Sequence, residues 1–189
     1  MQRLTVLFAA LVVLTGCATN IKPTVTSNPA PARAFKEFEQ FELKPLQLDA
    51  GVEEPAAVIK IREGLDRKIN SLTATWAQPA GDTLVIEPRV RELKFVSGGQ
   101  RFLVGAMAGS SAVRMTVKLT DKATGAVIAE PEFYQRAAAY GGAYSVGGTD
   151  NNMLDRITTV IEEYMKRNYP QAVGGPTGLE SAEAEKKKK

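Results

Sequence analysis

The only cysteine in the chain, Cys17, stands directly behind an N-terminal apolar run, and this constrains the fold more than any other feature. The chain opens Met1-Gln2-Arg3, with one positive charge, and residues 4–14 are then almost wholly apolar. This is the layout of a secretory signal peptide, ending here at residue 16. A helix needs about 20 apolar residues to cross the hydrocarbon core, so the run is too short to span. With a single thiol, no disulfide can form within the chain. Whatever is exported must hold itself together by an apolar core and hydrogen bonds, and it is long enough to do so as one domain.

Leu14-Thr15-Gly16-Cys17 resembles the lipobox of bacterial lipoproteins, in which an apolar residue and two small ones precede a cysteine. The resemblance implies diacylglycerol on the Cys17 thiol, cleavage before Cys17, and acylation (palmitate-type) of the new amino terminus. The physics agrees, because each buried methylene contributes about 0.8 kcal/mol and one acyl chain anchors only marginally. Ala18 rather than Asp follows the cysteine. In a Gram-negative cell this implies the periplasmic face of the outer membrane, with the lipid bilayer as a partner; elsewhere it implies a cell-membrane lipid anchor.

The composition, 44% hydrophobic and 24% charged, is that of an ordinary globular protein. Net charge is +3, reduced to +2 once Arg3 leaves with the signal peptide. Part of the remainder lies in Lys186-Lys187-Lys188-Lys189, so no basic stripe suited to nucleic acid is present. The chain has no histidine. That removes the commonest general base, the Ser-His and Cys-His nucleophile pairs and the usual zinc sites. No cofactor or metal motif is found, and a non-catalytic role is expected over an enzymatic one.

Residues 17–34 are rich in Pro, Thr, Ser and Asn without apolar period and read as a tether. Residues 34–48 read as extended, with Phe35, Phe38, Phe41, Leu43, Leu46 and Leu48 as the apolar set and an irregular or helical start. Pro55 suits a first helical position, with Glu53 and Glu54 near the positive end of the dipole. Val58, Ile61, Leu65, Ile69, Leu72 and Trp76 then recur at steps of three and four, one buried stripe. Gly64 interrupts it, either for close packing against a sheet or as a tolerated weak position. Residues 83–96 read as a strand bent or bulged at Pro88. Residues 113–120 and 127–136 alternate as two more strands, joined by Asp121-Lys122-Ala123-Thr124-Gly125 with the glycine at positive φ. Asp150 or Asn151 caps a last helix that buries Leu154, Ile157, Ile161, Tyr164 and Met165. Residues 171–189 read as a disordered tail. Its terminal lysines could touch anionic head groups, although such a run is usually just solvated.

These elements predict an α+β fold. A single domain over residues 35–170 carries a mostly antiparallel four-stranded sheet with two helices on one face, in the order β-α-β-β-β-α. A right-handed crossover places the connection at 49–54 at the same end as the glycine-rich stretches 97–111 and 137–148. Phe102, Met107, Tyr140 and Tyr144 then form a candidate partner-docking surface, since function concentrates on loops held by a scaffold. Flexible connection, or small residues packed under the sheet, explains the glycines somewhat better, because glycine richness alone has many causes. Gly105-Ala106-Met107-Ala108-Gly109 lacks the ending of a P-loop, and no membrane-tuned strand alternation is present.

Residues 101–130 resemble the domain-of-unknown-function family 4410 of bacterial lipoproteins. The resemblance rests on Val104-Gly105-Ala106-Met107-Ala108-Gly109-Ser110 and Lys118-Leu119-Thr120-Asp121-Lys122-Ala123-Thr124-Gly125. It brings no activity and no functional residues. The expectation is therefore a lipid-anchored envelope module that binds or assembles with an envelope protein. Two alternatives stay open: a hydrolase using Asp49, Glu53, Glu54 and Asp150, and a ring-forming structural lipoprotein.

Overall fold

The structure, a computed structural model, describes residues 21–95, 111–137 and 148–179. Strand β1 (Ser27–Asn28) is followed by a 3-10 turn at Phe35–Glu37 and the short strands β2 (Gln40–Leu43) and β3 (Gln47–Leu48). Helix α1 (Pro55–Leu65) runs through a π-helical turn, Asp66–Asn70, into α2 (Ser71–Ala74). Strands β4 (Thr83–Lys94), β5 (Ala112–Asp121), β6 (Val127–Ala129) and β7 (Glu132–Arg136) precede α3 (Gly148–Asn168) and β8 (Gly175–Pro176). The fold is a single α+β domain, as its periodicities predict.

The sheet has four positions. β2 and β3 are one line of chain, interrupted at residues 44–46, lying parallel to β4. β4 pairs antiparallel with β5, and β6 and β7 line the far side of β5 with a break at residues 130–131. β4 is not bulged at Pro88, which pairs with Val117; the register shift lies between Val90 and Glu92 instead. The Val117 amide donates away from β4, to Pro131 O at 3.0 Å. Pro88 and Val117 are thus a non-hydrogen-bonded pair, and the proline nitrogen faces the β2–β3 side, where the neighbouring line is broken. The strand keeps its proline because nothing opposite it asks for an N–H.

Alternation sends Leu84, Ile86, Val90, Val113, Met115, Val117, Leu119 and Phe133 to the face covered by the helices. Ile61, Leu65 and Ile69 of the first helix, and Met153, Leu154, Ile157, Ile161, Tyr164 and Met165 of α3, complete the core. Trp76 stacks on Tyr169 with ring centres 4.1 Å apart and meets the edge of Phe41 at 5.7 Å. Gly64 packs against the other helix, not the sheet: a Cβ there would lie 2.8 Å from Thr158 Oγ1. α3 begins at Gly148, so Asp150 and Asn151 lie inside its first turn rather than capping it.

Two stretches expected as tether and tail are built into the domain over residues 21–34 and 171–179. β1 pairs antiparallel with β8. Ile21, Asn28, Ala34 and Thr177 are buried. The reason is the outer edge of β7, whose amides and carbonyls need partners. The Asn28 side chain acts as a piece of strand: Nδ2 donates to Glu132 O and Oδ1 accepts from Glu132 N, both at 2.8 Å. Tyr134 N donates to Thr177 O at 2.8 Å. Asn168 ties down the return, accepting from Val173 N and Gly174 N at 2.9 and 2.8 Å. Such contacts use single polar groups, so they leave no apolar period in the sequence.

Candidate functional site

The register fixes which features share an end of the sheet. Ala112 pairs with Lys94 on one side and Arg136 on the other. The undescribed connections 96–110 and 138–147 therefore both depart from this end. β3 is parallel to β4, so the chain also leaves Leu48 toward it. The expected convergence of the three connections is present at their described bases. Phe102, Met107, Tyr140 and Tyr144, the candidate docking residues, lie outside the described residues, as does Cys17.

The chain before β2 runs along the β6–β7 edge toward the same end. Arg33 is held at the far hairpin, 3.2 Å from Asp121 and stacked over Phe38. Ala32 N donates to Ile128 O at 2.8 Å. Thr24 Oγ1 donates to Glu132 Oε2 at 2.9 Å, and the Thr24 amide donates to Oε1 of the same carboxylate. Ile21 then packs on Ala112 and Tyr134 beside Leu179. From Arg33 back to Ile21, the chain climbs the edge from the hairpin to the loop-bearing end.

The sheet face opposite the helices carries a lattice of paired charges. Asp49 lies 3.4 Å from Arg89 and 3.2 Å from Arg91, and Arg91 reaches Glu130 at 3.2 Å. Arg114 bridges Glu132 at 2.9 Å and Glu92. Burial alone would push the Glu132 carboxyl up. Hydrogen bonds from Arg114 and Thr24, with the Arg114 charge, more than offset this and hold it below its ordinary range. Glu37 is lowered by its hydrogen bond with Arg33, and Glu42 by those with Lys44 and Lys122. These carboxylates are stabilised as anions, the opposite of what a general acid at neutral pH requires.

The carboxylates considered for hydrolysis are not gathered by what is described. Asp49 is engaged by two arginines, Glu53 and Glu54 are exposed before α1, and Asp150 lies in the first turn of α3. A shallow cleft of about 240 Å³ opens where β2 and β3 break, lined by Leu43, Pro45, Leu46, Leu65 and Pro88 with Arg62 and Asp66 nearby. Among the described residues, no helix is long and apolar enough to cross a membrane, and no cluster of His, Cys, Asp or Glu could hold a metal ion. Sequence reasoning missed Asn28 and Glu132, which position the N-terminal segment. Asn28 lay in the stretch that read as a tether, and nothing in the local pattern marked it out.

No protein-family model and no curated protein matches the chain, so the likeness to family 4410 stays one of short motifs. Among solved structures the chain is similar to a PelC dodecamer from Paraburkholderia phytofirmans, at 14% identity, covering 72% of this chain and 94% of that one, with a TM-score of 0.46. It is similar to a protein of domain-of-unknown-function family 330 from Xanthomonas campestris, at 15% identity, 76% and 93% coverage and a TM-score of 0.46. A minor lipoprotein from Acinetobacter baumannii matches at 12% identity, 69% and 94% coverage and a TM-score of 0.36. Likenesses this remote say nothing of what the present chain binds.

Proposed function

We propose that this chain is an envelope lipoprotein, held on the periplasmic face of the outer membrane by acylated Cys17, whose domain is a non-catalytic binding or assembly module. The observation that carries the reading is the lone cysteine in Leu14-Thr15-Gly16-Cys17, directly behind an apolar run too short to span. Several acyl chains on one residue meet the anchoring requirement without a transmembrane helix. Ile21, four residues after Cys17, is buried against the domain, which suits a module held close to its anchor. The downward-shifted carboxylates and the paired arginines favour a structural surface over an acid–base site.

The test is Cys17→Ser in the native cell. The substitution should abolish labelling by a fatty-acid analogue and move the protein from the outer-membrane fraction to the soluble one. Retention of both label and membrane association would overturn the anchor. The non-catalytic reading is tested separately by alanine at Asp49, Glu53, Glu54 and Asp150, none of which should change the envelope phenotype of a deletion strain complemented by the variant.

A further inference from the structure

The two edges of the sheet differ. The β6–β7 edge is covered by the chain's own ends, through Ala32, Asn28 and Thr177. The β2–β3 line pairs with β4 alone, so its outer side is an open edge among the described residues. Gln40 N donates to Asp82 O at 3.0 Å and Lys44 N to Ile86 O at 2.9 Å, so the even-numbered residues of β2 turn their backbone groups toward β4. Phe41 and Leu43 turn theirs outward. At the start of this edge, Glu39 O accepts from Gln78 N at 2.7 Å.

The side chains alternate in the same register. Phe41 and Leu43 pack on the core under the helices, and Leu43, Pro45 and Leu46 line the shallow cleft. Glu42 and Lys44 stand on the opposite face, paired with each other, and Glu42 also lies 2.9 Å from Lys122. Such an edge is complementary to itself in one register. Antiparallel copies must set outward residues against outward residues, so a two-fold axis passes through a residue and not between two. Centring it on Gln40 or Phe41 drives the second copy against Glu39, where Gln78 already sits. Centring it on Glu42 sets two carboxylates directly opposite, which is destabilising. Centring it on Leu43 sets Glu42 against Lys44 twice, with Cα atoms about 4.5 Å apart. The two Leu43 residues then exchange both backbone hydrogen bonds. Phe41 N–H meets the carbonyl of Pro45, which has no N–H of its own to satisfy. On the helix side, Phe41, Leu43 and Pro45 of the two copies form one apolar strip.

We propose that two copies of this chain join through the β2 edge, antiparallel about a two-fold axis at Leu43, with Glu42 of each facing Lys44 of the other. The contact uses the same patch on both copies and consumes the open edge of each, so assembly stops at two. A strand of four residues makes a small interface, so the dimer is one that exchanges and not a permanent one. This rests on the reading of the domain as a binding or assembly module and is independent of the anchor at Cys17.

Sedimentation equilibrium of the full protein in detergent micelles follows the association across a concentration series. The parent should show a reversible monomer–dimer equilibrium. Lys44→Glu or Glu42→Lys alone sets like charges against each other at both positions and should weaken dimerisation about tenfold. Mixing the two variants restores both opposite-charge pairs, and the mixture should dimerise as the parent does. The Leu43 amide of the parent should exchange its hydrogen more slowly at high protein concentration than at low, a readout that needs no substitution. A parent that stays monomeric, dimerisation indifferent to both substitutions, or a Leu43 exchange rate independent of concentration overturns the proposal. Association beyond two copies overturns it as well. A monomeric parent sinks the dimer alone, since the module reading is judged by its own alanine series and the anchor by Cys17→Ser.

Discussion

Gly64 offers the sharpest test of how the two helices are packed. An alanine Cβ at this position would lie 2.8 Å from Thr158 Oγ1, 2.9 Å from its Cγ2 and 3.2 Å from its Cβ. Rotation about χ1 relieves the overlap only in part, because turning Hβ toward one contact leaves a branch at the other, and the Cβ at 3.2 Å does not move. Thr158 is fully buried, and its hydroxyl donates to Asp155 O at 2.8 Å and accepts from Lys68 Nζ at 3.1 Å. The helices must therefore move apart by several tenths of an ångström. Overpacking of this kind costs about 1–3 kcal/mol, while replacing a helical glycine by alanine returns about 1 kcal/mol. Gly64→Ala should thus destabilise by about 1 kcal/mol, lowering Tm by about 2–4 °C for a chain of this size. Thr158→Ala removes both branches. In that background Gly64→Ala should become neutral or stabilising, a coupling of about 1–3 kcal/mol. Denaturant titration of the four proteins of the cycle measures it. If Gly64→Ala alone stabilises the domain, or if the two effects add to within about 0.5 kcal/mol, the close helix contact is refuted.

Further outcomes follow from the covered edge. Asn28→Ala strips the Glu132 amide and carbonyl of their partners. It should cost about 1–3 kcal/mol and speed hydrogen exchange at the Glu132 amide before global unfolding. Gly174→Ala drives a Cβ into Asn28 O at a positive φ, so limited proteolysis should cut beyond residue 170 in the variant and spare the parent. The Glu132 carboxyl is held below its ordinary value of 4.5, so its contribution is complete above that pH and fades as pH falls through the lower folded value. Glu132→Gln should flatten the acid limb of a Tm-against-pH curve, and an unchanged limb would count against the pairing. Burial pushes the Tyr164 phenol from 10 up to about 12. Its contribution to stability should be intact below pH 10 and decline as pH rises toward 12, with the Tyr164 phenolate absorbance appearing together with unfolding.

The sequence discloses the parts of the fold that bury periodic apolar faces. The stripe from Val58 to Ile69 and the set from Leu154 to Met165 are buried in the structure, because a helix can bury one face only at that spacing. The β4–β5 pairing is legible for the same reason in period two, and Gly125 takes the positive φ that its turn requires. The ends of the domain were not legible. Residues 21–34 and 171–179 dock through Asn28, Thr24, Thr177 and Asn168, whose hydrogen bonds impose no spacing rule. Pro88 was misleading because its consequence depends on a gap in the neighbouring strand, which a local pattern cannot contain. Of the candidate surface, the convergence of loop bases could be deduced from strand order, whereas Phe102, Met107, Tyr140 and Tyr144 belong to stretches beyond what is described.

The pairing of β1 with β8 also sets an order of events. Ser27 Oγ donates to Gly175 O across 148 positions of sequence, so this seam joins the start of the domain to its finish. Contacts of such separation form late, since the loop entropy must be met before they contribute. A chain synthesised N-terminus first cannot close the β7 edge until residue 175 has been added. Until then its open edge is available to chaperones and vulnerable to pairing with a neighbour. Sealing of this edge therefore waits until nearly the whole described domain has been made.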